Sequence, residues 1–164
     1  MKITVSLNTT SVDTAIKQVE DYQKKLKEKL LEIARRLAEV GRTYALASYE
    51  GESYYHGDKD ITVEVVKTEN GYKILAIGKE VCFLEFGAGV FYNGSESYPG
   101  VRPSGISKIG EFGKGHGKQN TWYFSSGENG KTHGNPPTAS LYWARKEMEK
   151  ELPRIVKEVF EKND

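Results

Sequence analysis

A single cysteine, Cys82, in 164 residues excludes any intramolecular disulfide framework. Metal-ligand spacing is missing too: nothing resembles His-x-x-x-His or Cys-x-x-Cys, and no metal or cofactor is expected. No apolar run approaches the ~20 residues that span a bilayer, so no membrane partner is expected. No signal-peptide pattern opens the sequence, and the expected setting is the cytoplasm. Lys and Arg number 24 against 23 Asp and Glu, which lacks the marked basic excess of a dedicated DNA binder. No specific nucleic-acid partner is expected.

Nucleotide-phosphate motifs fail on spacing. Gly113-Lys114-Gly115-His116-Gly117-Lys118 has three residues between its outer glycines where a Walker loop needs four, and Gln119 stands where the hydroxyl belongs. No Gly-x-Gly-x-x-Gly occurs. The three histidines, His56, His116 and His133, all fall in expected loops. Cys82 sits between Val81 and Phe83 and reads as a buried apolar residue rather than a nucleophile.

What the chain has is one long amphipathic run, residues 12–48, without proline and with Gly41 as its only glycine. Ile16, Val19, Leu26, Leu30, Ile33, Leu37, Val40 and Tyr44 recur at steps of three, four or seven, which lays one apolar stripe along a helix. Thr10 and Ser11 are positioned to cap its start. Such a helix reaches about 55 Å at ~1.5 Å per residue. A globule of this size is only roughly 40 Å across. The helix must therefore bend near Gly41 or have part of its stripe covered by another molecule. The pattern predicts that Leu30→Ala and Leu37→Ala each cost about 2–5 kcal/mol if those positions are fully buried.

Residues 2–7 (KITVSL) read as a short strand before the helix. Residues 49–60 form a polar connection bearing three tyrosines. Three strands are then predicted: 61–67 (ITVEVVK), 72–78 (YKILAIG) and 81–86 (VCFLEF). The Asn70-Gly71 pair supplies the first hairpin turn, giving an antiparallel meander with one face on the helix stripe. Glu85 lies in the apolar third strand. By alternation with Leu84 and Phe86 it points to the solvent face, or else it pairs with a basic residue of a neighbour.

Residues 87–137 are rich in Gly, Ser, Asn and Pro, yet carry Phe91, Tyr92, Tyr98, Phe112 and Trp122-Tyr123-Phe124. Disordered linkers are poor in aromatics, so this reads as a segment that orders against something, with 121–125 a candidate fourth strand. Lys114, Lys118 and Lys131 beside Trp122 and Tyr123 are the ingredients of single-strand binding but are sparse. A final helix is predicted from Thr138 or Ala139 to Glu161, capped by Thr138 and kinked or broken at Pro153. The expected fold is α+β. Long N-terminal and C-terminal helices pack on a small antiparallel meander, in one domain (1–164), with a flexible glycine-rich insertion at about 91–131.

Charge is uneven along the chain. Residues 12–48 carry eight basic and six acidic groups, 49–99 four and nine, and 100–135 five and two. Sections of opposite sign can pair with copies of the same chain or with a polarised neighbour.

The order of these features resembles the neck or tail-completion proteins of long, flexible-tailed bacteriophages and prophages. The residues that carry the likeness are Leu84-Glu85-Phe86-Gly87-Ala88-Gly89 and, after the glycine-rich stretch, His133-Gly134-Asn135-Pro136-Pro137 before the last helix with Ala144. The family's motif is Phe/Tyr-x-Glu-Phe-Gly-Thr-like, and here Ala88 stands at the threonine. Pro136-Pro137 keep the proline lead-in to the helix without the family's arginine and aromatic. The resemblance implies a non-enzymatic virion protein that joins head to tail. Its partners would be further copies of itself in a ring, and head-connector or tail proteins.

Interaction residues follow from the motif turn and the aromatic insertion: Glu85, Phe86, Gly87, Gly89, Phe91, Tyr92, Trp122 and Tyr123. No catalytic residue is carried over. The competing readings are a small hydrolase or nuclease using His116 or His133, and a nucleic-acid-binding module.

Overall fold

The computed structural model describes residues 9–51, 60–88, 98–100, 122–123, 131–132 and 134–161. The expected strand at 2–7 lies outside them, as do the three histidines. The fold is α+β: a long N-terminal helix and a C-terminal helix accompany a two-stranded antiparallel sheet.

Helix α1 runs unbroken over Thr9–Gly51. It begins earlier than the capping pattern suggests, so Thr10 and Ser11 lie inside its first turn. There Thr14 Oγ1 donates to the Thr10 carbonyl at 2.8 Å. No helix break occurs at Gly41. This glycine is buried instead, because Ile74 and Met148 close in on it. A Cβ there would lie 2.5 Å from Ile74 Cδ1 and 2.5 Å from Met148 Sδ.

Strands β1 (Thr62–Thr68) and β2 (Gly71–Ile77) form the predicted hairpin, in register from Thr62 opposite Ile77 to Thr68 opposite Gly71. Its two-residue loop is Glu69-Asn70, one position earlier than the Asn70-Gly71 signal indicates. Asn70 does not adopt positive φ.

The third strand is a correction. VCFLEF is a short helix, α2 (Val81–Phe86), with Val81, Leu84, Glu85 and Phe86 buried. A six-residue apolar run fits either a buried strand or a helical turn, and tertiary packing decides between them. The meander is thus a hairpin followed by a helix. Strands β3 (Trp122–Tyr123) and β4 (Lys131–Thr132) pair antiparallel in a separate small sheet, which realises part of the strand predicted at 121–125.

Helix α3 spans Ser140–Glu161 and continues through Pro153, so the predicted break does not occur. Pro153 is exposed. The bond it cannot donate is lost on the solvent side of the helix, where water can serve the freed carbonyl.

Two apolar clusters hold these elements together. One joins Ala45 and Tyr49 of α1, Val63 of β1, Val81 and Leu84 of α2, and Ala144 of α3. The other joins Ile33 of α1 to Ile155 and Val159 of α3, flanked by Leu37, Val40 and Val156. Arg36 and Glu158 pair across the two helices beside it.

Candidate interaction site around Glu85

Glu85 is the centre of the molecule's polar architecture. It is 2 % exposed, which corrects the solvent-facing placement that alternation predicts. In a helical turn successive side chains do not alternate between opposite faces as they do in a strand, and Leu84, Glu85 and Phe86 are all buried here. Among the described residues no basic side chain meets the carboxylate. Four neutral donors do.

Oε2 accepts from Tyr49 Oη at 2.9 Å and from the Leu141 amide at 2.9 Å. Oε1 accepts from Tyr98 Oη at 3.0 Å and from the Tyr142 amide at 3.3 Å. An ionised carboxylate offers about four acceptor positions, and all four are used. The two amides belong to the first turn of α3, where backbone N–H groups lack intrahelical partners and the helix dipole favours negative charge. Glu85 therefore caps α3 from another element. Thr138, the cap expected from sequence, instead donates its hydroxyl to the Leu84 carbonyl at 3.1 Å and shares a 2.9 Å bond with Ser140 Oγ. Ser140 in turn bonds Ser48 Oγ of α1 at 2.8 Å.

The electrostatic consequence falls on Tyr49. Burial, the adjacent Glu85 charge and the hydrogen bond between them hold its phenol well above the ordinary value of 10.0.

The C-terminal end of α2 is closed by residues 134–139. Thr138 N donates to Leu84 O at 2.8 Å, Ala139 N to Glu85 O at 3.2 Å, and Ala88 N to Asn135 O at 2.9 Å. Asn135 Nδ2 donates to Phe83 O at 2.9 Å. Gly87 leaves the helix at φ 80°, and a Cβ there would lie 3.0 Å from Pro137. Glycine is needed twice over, for the backbone angle and for the close approach. Ala139 is the one described non-glycine residue at positive φ (51°), and its carbonyl accepts the first α3 bond, from Trp143 N at 2.9 Å.

From this core a row of rings runs to the surface. Phe86 and Tyr98 have centroids 4.9 Å apart, Tyr98 and Tyr142 6.1 Å, and Tyr142 and Trp143 5.1 Å. Phe86 is buried while Trp143 is 46 % exposed.

Of the sequence-predicted interaction residues, Glu85, Phe86 and Gly87 lie together in this site. Gly89, Phe91 and Tyr92 lie outside the described residues. Trp122 and Tyr123 form β3. Sequence reading missed Tyr49, Tyr98, Asn135, Ser140 and the Leu141 and Tyr142 amides as partners of the motif. Their signal was present only as the tyrosine-bearing stretch 49–60, as Tyr98 among the aromatics of 87–137, and as an Asn-Pro-Pro lead-in to α3.

Cys82 is free and half-buried. Among the described residues no group of three or more His, Cys, Asp or Glu side chains is placed to hold a metal. No described helix is long and apolar enough to cross a membrane. No family model, curated protein or solved structure matches the chain.

Proposed function

We propose that the chain is a structural protein of a phage or prophage head–tail junction. It acts in tail completion or head–tail joining through ring-like contacts between copies. One observation carries this reading: of the two sequence pieces that suggested it, Leu84–Gly89 and His133–Pro137, the described parts, 84–88 and 134–137, are bonded to each other beside Glu85. A motif whose acidic residue spends all four acceptor positions on neighbouring donors is suited to fixing a shape. It has no acceptor position left for taking a proton from a substrate.

A ring repeats one heterologous contact, which requires two different complementary faces on each copy. The acidic 49–99 section and the more basic 12–48 section supply opposite signs, and Trp143 at the end of the ring row supplies an exposed aromatic anchor. In this reading the protein needs no cofactor and catalyses no reaction. It is made in the host cytoplasm and ends in the virion beside head-connector and tail proteins.

The test is native mass spectrometry and negative-stain imaging of the full chain, alone and with connector and tail proteins from the same genome. Closed rings, or stable incorporation at the junction, are expected. A strictly monomeric protein that ignores both partners at high concentration contradicts the proposal.

A further inference from the structure

Helix α1 is buried only in its C-terminal part, at Ile33, Ala38, Gly41, Ala45 and Tyr49. Over residues 9–32 nothing is buried, yet the apolar stripe continues. Ile16 is 52 % exposed and Leu30 55 %, and Val12, Val19 and Tyr22 are exposed as well. The positions 12, 16, 19, 23, 26, 30 and 33 alternate steps of four and three. That is a 3.5-residue repeat interrupted only by Gln23, the spacing of helices that wrap around one another.

We infer that this uncovered segment pairs with the same segment of a second copy, antiparallel, about a two-fold axis near Asp21. The flanking charges select both occupant and direction. Asp13, Glu20 and Lys27 recur every seven residues along one edge of the stripe. In an antiparallel pair that edge faces the same edge of the partner, so Lys27 of each copy meets Asp13 of the other. In a parallel pair it faces the opposite edge, where Ala15, Tyr22 and Lys29 provide no acidic group.

Packing agrees with the charges. From Ile33 onward the stripe is taken by Ile155 and Val159 of α3, so a partner helix on the same stripe must stop there. Setting Val12 opposite Leu30 and Ile16 opposite Leu26 places the partner's first turn at that limit. A groove of about 760 Å³ between α1 and the end of α3, lined by Lys25, Glu28, Lys29 and Glu32 as well as Leu26 and Phe160, lies beside the stripe there. A parallel pair would instead drive the two copies' α3 helices toward one another. The antiparallel register puts both Gln23 amides near the axis. It also brings the two Glu20 side chains together there, a repulsion that fixes a further expectation below.

This contact is isologous. It is distinct from the heterologous contact of a ring, and it stands or falls without the head–tail reading.

Sedimentation of the full chain between about 1 and 200 µM tests it, with a dimer expected at the upper end. Ile16→Asp should weaken dimerisation by about 100-fold or more, because each copy loses a buried apolar side chain. Its thermal melt in dilute solution should be unchanged, since Ile16 is exposed in the single chain. Lys27→Glu should weaken the dimer, the Asp13→Lys, Lys27→Glu double variant should restore it, and Glu20→Gln should tighten it. In a Cys82→Ser background, a mixture of Val12→Cys and Leu30→Cys chains should form mainly the mixed 12–30 disulfide. A monomer throughout the range, an oligomer indifferent to Ile16→Asp, or mainly 12–12 and 30–30 disulfides would each overturn the inference.

Discussion

The two ends of α1 share one apolar pattern and have opposite environments. From Ile33 to Tyr49 the helix buries Ile33, Ala38, Gly41, Ala45 and Tyr49 against α3, the hairpin and α2, while Tyr44 of the stripe stays 40 % exposed, and Tyr49 bonds the buried Glu85. From Thr9 to Glu32 no residue is buried: Val12, Ile16, Val19 and Leu30 of the same stripe are exposed and Leu26 is half-buried. Periodicity therefore reports that a face is apolar without saying what covers it. The length of the helix carried that second message, because a rod of about 55 Å outruns a globule of roughly 40 Å.

The sharpest way to break this contrast is to attack the covered end at its polar centre. Glu85→Ala removes the carboxylate that accepts from two phenols and two first-turn amides of α3, and should cost about 3–5 kcal/mol by chemical denaturation. A loss under ~1 kcal/mol would mean that water replaces the carboxylate and that the site is not a lock. Ile155→Ala, in the α1–α3 cluster, should cost about 2–4 kcal/mol, since Ile155 is 1 % exposed. Pro153→Ala should act in the other direction and stabilise the chain by about 1–3 kcal/mol, by restoring a donor inside α3.

Alkaline pH probes Tyr49 specifically. Its folded-state value is raised, so the neutral phenol contributes stability that is fully present below the unfolded value of 10.0 and is lost as pH climbs above it. Denaturation midpoints should fall above pH 10, and Tyr49→Phe should flatten that fall while lowering stability at neutral pH. An identical alkaline slope in both proteins would remove Tyr49 from the account. The smallest effect belongs to the uncovered end. Leu30→Ala should change the stability of dilute protein by under ~0.5 kcal/mol, against the 2–5 kcal/mol that its place in the stripe suggests.

The helices and the hairpin were legible in the sequence because their patterns are long. Repeated three- and four-residue steps define α1 and α3, and two β-branched runs around a turn define β1 and β2. VCFLEF was not legible as a helix, since six apolar residues carry no decisive period. That one misreading also turned Glu85 outward, because alternation applies to strands alone.

The site itself was half visible. Leu84–Gly89 and His133–Pro137 stand out as two pieces, beginning 49 positions apart in the chain. What no local pattern states is that they close on each other, or that the donors arrive from Tyr49 and Tyr98. Those contacts join distant parts of the chain, and only folding specifies them.

Amide hydrogen exchange along α1, at concentrations where sedimentation finds single chains, tests the division of the helix most directly. The amides of residues 33–49 should exchange near the rate of global unfolding, and those of residues 12–26 many times faster. Uniform protection along all 43 residues of the helix would contradict the account.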